Sequence, residues 1–300
     1  MNRFPDGARV CFVGDSITCI GLYLKYIVAQ YRNDFPDSHV EFYNCGISGG
    51  NLGNTIRVFN EDISIYDPTH IVLMTGANDS RRWALANLPS AEHYEILQTA
   101  YERYRENLEL FYRLTCERDI TLILCTPMPY AEYISSPIEP LRGGAKLFAA
   151  YAEVVRQIAK EQGIPLCDYY AAVEAKDLQT LYNPDRVHPT EKCHALMAKT
   201  FLDFQGISMK DWDELPSDVE QWYEVTQKLR SIITAEFLCI PTYADMTHEE
   251  RRVAMADRHR QTQANPEAFD PVARFRVDSY QEHKPKQAQY IEQVKQFMKR

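Results

Sequence analysis

Five short runs of apolar and β-branched residues recur through the first two hundred positions: "RVCFV" at 9–13, "VEFYN" at 40–44, "HIVLMTG" at 70–76, "ITLILCTP" at 120–127 and "IPLCDY" at 164–169. Each has the length of a strand. Between them, apolar residues return at helical spacing in "GLYLKYIVAQY", "NTIRVFNEDI", the stretch from Ser90 to Arg118 and "GGAKLFAAYAEVVRQIAKEQG". Gly163 is placed to stop the last of these helices. Strand alternating with helix predicts an α/β fold, a parallel sheet covered by helices on both faces, reaching to about residue 205. Ligands of such sheets bind beyond the carboxyl ends of the strands. That directs attention to the polar segments "GDS", "CGISGG" and "GANDS", which follow the first three strands and are expected to open on one edge.

From 206 to 300 the strand-like runs disappear, and three helical patterns replace them: "SDVEQWYEVTQKLRSIITAEF", "THEERRVAMADRHRQ" and "KQAQYIEQVKQFMKR". In the first, Val219, Trp222, Tyr223, Leu229, Ile232, Ile233 and Phe237 form an apolar stripe. The second opens with Thr247 and Glu250 in capping-box spacing. The expected organisation is a domain over 1–205 and a helical extension over 206–300. One strong stripe over about 90 residues makes a thin core, so the extension is expected to pack on the main domain. A lid over the site and a surface for homo-oligomer formation are the other uses open to it.

Composition narrows the partners. Thirty-three Lys and Arg against 42 Asp and Glu give a formal net charge of -9, the wrong sign for nucleic acid or an anionic membrane surface. No window holds 18 uncharged apolar residues, and the N-terminus lacks the apolar core and small-residue cleavage site of a secretory signal. The eight cysteines, at 11, 19, 45, 116, 125, 167, 193 and 239, form no CxxC pair. Several lie inside apolar runs, as reduced thiols do. The expectation is a cytoplasmic protein acting on a small molecule.

The polar segments carry the candidate chemistry, and each has a plain structural alternative. Ser16 in "GDS" is either a nucleophile or the N-cap of the next helix. The glycines of "NCGISGGNLGN" suit a phosphate cradle, a tight turn, or a backbone N–H aimed at an anionic oxygen formed during reaction. Asn78 is either a local turn cap or a neutral amide donor to such an oxygen. Neither a Gly-Lys-Ser/Thr nor a GxGxxG pattern accompanies these glycines, which weakens the nucleotide reading. In "NPDRVHPTEKCHAL", Asp185 and His188 stand three apart between Pro184 and Pro189, ahead of a helix starting near Thr190. A serine hydroxyl needs a base near neutral pKa, and the base needs a carboxylate to orient it; one stiff loop could carry both. No HExxH or clustered ligand pattern points to a metal. Tyr130 and Tyr133, after the fourth strand, are candidates for stacking on a sugar face.

Taken together, Gly14-Asp15-Ser16-Ile17, Asn44 to Gly49, Gly76-Ala77-Asn78-Asp79 and Asp185 to His188 resemble, in order, the four blocks of the GDSL family of SGNH hydrolases, which are serine esterases and acylhydrolases. The resemblance covers roughly the first 205 residues. It implies a three-layer α/β/α sandwich with a flavodoxin-like five-stranded parallel sheet. It also implies Ser16 as nucleophile, His188 as general base and then acid, and Asp185 as the residue orienting His188. The oxyanion hole would be the backbone N–H groups of Ser16 and Gly49 and the side-chain amide of Asn78, with Gly46 a turn residue. Cys19 departs from the acidic or small polar residue of many relatives, at the pocket floor or helix start.

The reading is a cytoplasmic serine esterase with no cofactor or metal, acting on a short-chain acyl ester such as an acetylated carbohydrate. The alternatives are a lipase- or thioesterase-type acylhydrolase, a nucleotide-binding protein using the glycine loops, and a non-catalytic binding protein on the same fold.

Overall fold

The computed structural model describes residues 1–80, 90–238 and 277–299. Its five strands, β1 (Arg9–Gly14), β2 (Glu41–Gly46), β3 (His70–Met74), β4 (Thr121–Cys125) and β5 (Leu166–Cys167), form one parallel sheet in the order β2-β1-β3-β4-β5. β1 lies between β2 and β3 with Val10 to Val13 fully buried, which is why its run is uninterruptedly apolar.

The helices are α1 (Ser16–Ile20), α2 (Leu22–Asp34), α3 (Leu52–Arg57), α4 (Ser90–Cys116), α5 (Gly144–Gln162), α6 (Tyr169–Glu174), α7 (Leu178–Leu181), α8 (Glu191–Phe204), α9 (Ser217–Leu238) and α10 (Val277–Met298). The chain steps one way across the sheet from β1 to β2 and the other way from β3 through β4 to β5. Right-handed crossovers therefore place the connecting helices on opposite faces. On one, α2 packs against α8, and Phe12 meets Phe201 at a ring separation of 5.4 Å while Tyr31 meets Phe42 at 4.9 Å. On the other, α4 packs against α3 and α5, with Tyr104 and Tyr151 at 4.9 Å. The result is the expected three-layer α/β/α arrangement.

Two elements differ from the sequence pattern. The helix expected over 54–63 is interrupted: Asn51 caps α3 early through the Asn54 N–H, and a π-helical turn (Phe59–Ile63) and a 3-10 turn (Ser64–Tyr66) follow. The change of pitch keeps Phe59, Ile63 and Tyr66 buried. β5 pairs over only two residues, because Pro165 has no N–H to give and Asp168 leaves the sheet to cap α6.

The chain forms two compact units, Met1–Glu220 and Gln221–Arg300. At the start of α9, Asp218 and Glu220 pair with Arg32 and Lys25 of α2. Of the expected apolar stripe on α9, Val219, Trp222, Leu229, Ile232 and Ile233 are buried and Tyr223 is partly so, whereas the Phe237 side chain and the helical pattern around Thr247 lie outside the described residues. The third pattern falls in α10.

All the strands end at one level, since Gly14 pairs with Gly46 and with Met74, and Met74 with Cys125. The loops after β1, β2 and β3 thus open together, at the point where the strand order reverses. Gly46 is not the turn residue the resemblance implied; it is the last residue of β2. A Cβ there would lie 2.2 Å from the Cys19 backbone nitrogen and 2.5 Å from the Thr18 carbonyl carbon. Because both obstacles are backbone, Gly46→Ala is expected to cost about 1–3 kcal/mol, as overpacking does. The measurement is the urea midpoint, and an unchanged midpoint would show that α1 can shift without loss.

Candidate active site

β1 ends at Gly14, where a Cβ would come within 2.5 Å of the Met74 carbonyl oxygen, and the chain turns directly into α1. Asp15 is the cap of that helix, its Oδ1 accepting the Ile17 N–H at 3.0 Å. The N-cap alternative for Ser16 is thereby removed. Its neighbour does the capping, and Ser16, first residue of α1, is left with its hydroxyl free for another partner. Asn44, at the end of β2, holds the helix from the other side, donating from Nδ2 to the Thr18 carbonyl at 2.7 Å and accepting the Gly46 N–H at 2.9 Å.

That partner comes from the loop between α7 and α8. Residues 182–190 fold back on themselves: Tyr182 bridges Pro189, the Asn183 N–H donates to the His188 carbonyl at 2.9 Å, and the Thr190 N–H to the Leu181 carbonyl at 2.8 Å. Within this closed loop, Asp185 Oδ1 accepts the N–H groups of Val187 and His188 at 3.0 and 2.9 Å. Arg186 turns the chain at φ 68, a left-handed conformation costing a non-glycine residue about 1 kcal/mol. Asp185 Oδ2 lies 2.6 Å from His188 Nδ1, and His188 Nε2 lies 2.8 Å from Ser16 Oγ.

Burial by itself would raise the Asp185 carboxyl. The hydrogen bond and charge of His188 and the two backbone N–H groups outweigh it and hold the value at about 2. At neutral pH Asp185 is therefore an acceptor only, so the ring proton faces it on Nδ1, and in the neutral form of the ring Nε2 is the acceptor for the Ser16 hydroxyl. Such a chain can withdraw the serine proton and stabilise the imidazolium that results.

Asn78 and Asp79, after β3, grip the loop after β2. Asn78 Nδ2 donates to the Gly50 carbonyl at 2.9 Å, and Asp79 Oδ1 accepts the Leu52 N–H at 2.9 Å. Gly49 has φ 77, which favours glycine there. Among the described residues, the backbone N–H groups of Ser16 and Gly49 meet no acceptor. They are donors available to an anionic oxygen.

Tyr130 and Tyr133 separate. Tyr130 is buried against Phe148, with its hydroxyl accepting the Leu141 N–H at 2.8 Å, so it is a packing residue. Tyr133 is 85% exposed. Sequence reasoning assigned nothing to Asn44, Asp79, His194 or Arg186. Asn44 did carry a signal, as a polar residue closing an apolar run.

Burial shifts two groups near this chain away from their ordinary values. Burial, and then the charge of His188, push His194 down to about 3. Burial, with the charge of Asp15 adding to it, raises Asp79 to about 7, and its Oδ2 has no hydrogen-bond partner. The folded state thus keeps the Asp79 proton where the unfolded chain has released it, so stability falls as pH rises from about 4 to about 7. Asp79→Asn should remove this decline. Urea midpoints of both proteins at several pH values are the check, and parallel pH profiles would refute the raised carboxyl.

Several known proteins are similar to this chain. The profile of the GDSL-like Lipase/Acylhydrolase family matches residues 12–196. An acetylxylan esterase of Geobacillus stearothermophilus is 29% identical over 219 residues, 67% of this chain and 94% of the relative. The crystal structure of Axe2, an acetylxylan esterase from the same organism, superposes with a TM-score of 0.56 at 25% identity, covering 69% of this chain and 98% of that one. An uncharacterized lipoprotein of Bacillus subtilis, YqeF, is 25% identical over 56% of this chain and 74% of its own length. A gut microbial diltiazem-metabolizing enzyme shares the fold over 100% of this chain and 97% of its own, with a TM-score of 0.69 at 15% identity. With its strand-end loops and sheet as described, the chain belongs to the GDSL-like lipase/acylhydrolase family and is a carboxylic-ester hydrolase.

Proposed function

We propose that this hydrolase works through a serine acyl-enzyme and that its substrate is a short-chain acyl ester of a carbohydrate. The observation that carries the mechanism is the continuous chain Ser16 Oγ, His188, Asp185, with separations of 2.8 and 2.6 Å. Ser16 Oγ attacks the ester carbonyl carbon as its proton passes to His188 Nε2. The negative charge formed on the carbonyl oxygen is received by the N–H groups of Ser16 and Gly49 and the amide of Asn78. His188 then gives the proton to the departing alcohol oxygen as the carbon–oxygen bond breaks. Water, deprotonated by His188, releases the acid and restores Ser16. No step needs a metal or cofactor.

The acyl preference follows from a cavity of about 10 Å³ lined by Asp15, Ile17, Met74, Thr75, Ala77 and Val187 among others, room for roughly one water-sized group. Ile17, Ala77 and Val187 are the chain neighbours of Ser16, Asn78 and His188, which do not themselves line it, and a cavity of this size suits a methyl better than a long chain. On the alcohol side, the exposed Tyr133 ring is the surface offered to a sugar. The acetylxylan esterase relative favours the same substrate class. In this reading residues 1–205 carry the chemistry and 206–300 are a helical extension. Six cysteines buried as free thiols, Cys11, Cys19, Cys45, Cys125, Cys167 and Cys193, favour a cytoplasmic setting. Among the described residues no helix is long and apolar enough to cross a membrane.

With p-nitrophenyl acetate, Ser16→Ala is expected to lower kcat by about 10³-fold or more and to abolish stoichiometric fluorophosphonate labelling, and Asn78→Ala to lower kcat by about 10²–10³-fold. Full activity in the Ser16 variant would sink the mechanism. For the substrate, kcat/KM should fall from acetyl to butyryl to octanoyl esters. Tyr133→Ala should raise KM for acetylated xylo-oligosaccharides by about tenfold, leaving p-nitrophenyl acetate unaffected. Rising activity with chain length would favour the lipase-type alternative.

A further inference from the structure

Arg186 takes no part in the proton chain, yet it stands between Asp185 and Val187 in the loop that carries it, and only 4% of its surface is exposed. All five of its side-chain hydrogen bonds end on main-chain carbonyls of one segment. Nε and Nη2 reach the Ile138 carbonyl at 3.1 and 2.9 Å, and Nη1 reaches those of Glu132, Ile134 and Ala131 at 2.9, 2.5 and 3.4 Å. The segment answers in kind: the Ala131 N–H donates to the Arg186 carbonyl at 3.0 Å, and Ser136 Oγ to the Pro184 carbonyl at 2.5 Å. The Glu132 carboxylate is committed elsewhere, accepting the Gly143 and Ala145 N–H groups at the start of α5.

A buried cation is retained only when its donors are filled. Here the filling groups are carbonyls of residues 131, 132, 134 and 138, so that segment must curve around the guanidinium. The planar fork suits this task, whereas a lysine ammonium could not reach all four. The backbone conformation argues the same way. Glycine would hold φ 68 without strain, so the arginine contributes through its side chain, not through its ease in the turn. The turn is also what brings the Val187 and His188 N–H groups onto Asp185 Oδ1.

We infer that Arg186 is a positioning residue: by clamping 131–138 it fixes both the turn that aims His188 at Ser16 and the rim that presents Tyr133 to the alcohol half of the substrate. This rests on the proposed roles of Ser16, His188 and Asp185.

The test uses Arg186→Gly, which removes the side chain and relieves the backbone, and Arg186→Lys, which keeps charge and bulk. Active sites are counted by fluorophosphonate titration, so that unfolded protein does not enter the rate. The Gly variant is expected to lose about 10²-fold in kcat for p-nitrophenyl acetate, with KM within about twofold, as misplacement of a catalytic group does. The Lys variant is expected to lose about tenfold, and it carries the test if the Gly chain does not fold. In both, the amides of 131–138 should exchange hydrogen about tenfold faster than in the wild type. Added guanidinium ion should restore part of the Gly variant's activity without raising that of the wild type. Wild-type kcat in either variant, or unchanged exchange at 131–138, overturns the inference. A wild type that neither hydrolyses nor labels overturns the serine mechanism instead, while the exchange measurement still reports on the clamp.

Discussion

The site depends on two places where backbone approaches backbone too closely for any side chain. Gly14 and Gly46 pair with each other at the ends of β1 and β2, the first pressed against the Met74 carbonyl and the second against the Cys19 nitrogen. This lets α1 begin without a connecting loop and rest on the sheet's edge. Asp15 can then cap it, Asn44 can reach across to the Thr18 carbonyl, and Ser16 faces outward over the strand ends. A side chain at either glycine would push the helix back, and the hydroxyl would no longer meet an imidazole held by an independent loop. That loop in turn is closed on itself, so Ser16 and His188 are each fixed by local structure, independently of their contact with one another.

The alternation of apolar runs and helical spacing made the sheet and the polar edge legible from sequence, because strands buried on both faces leave little choice of residue. The limits lay where two residue types were equally competent. Asp15 and Ser16 are both good caps, and only the structure shows which one does it. Tyr130 and Tyr133 are three apart in one loop, yet one is packed under Phe148 and the other stands in solvent. Arg186 was unreadable for a different reason. A charged residue in a proline-framed polar loop is ordinarily exposed, and its partners are carbonyls, groups that every residue possesses, some fifty positions away. Likewise Pro165 and Asp168, at the two ends of an apparently ordinary strand, cut its pairing to two residues.

The charges around Ser16 follow a division of labour that burial and hydrogen bonding impose. Asp185 receives two backbone N–H groups and an imidazole N–H, and remains ionised down to about pH 2. Asp79 receives one backbone N–H on Oδ1, has nothing on Oδ2, and is raised to about 7. The same residue type is thus shifted in opposite directions on the two sides of the site. In the proposed reaction each shift has a use. Positive charge develops on His188, where an anion stabilises it. Negative charge develops near Asn78, where an ionised neighbour at 79 would oppose it. A neutral His194 completes the arrangement, since a second cation beside His188 would make the imidazolium harder to form. Desolvation, which taxes every charge placed here, is compensated by hydrogen bonds at Asp185 and left to suppress ionisation at Asp79 and His194.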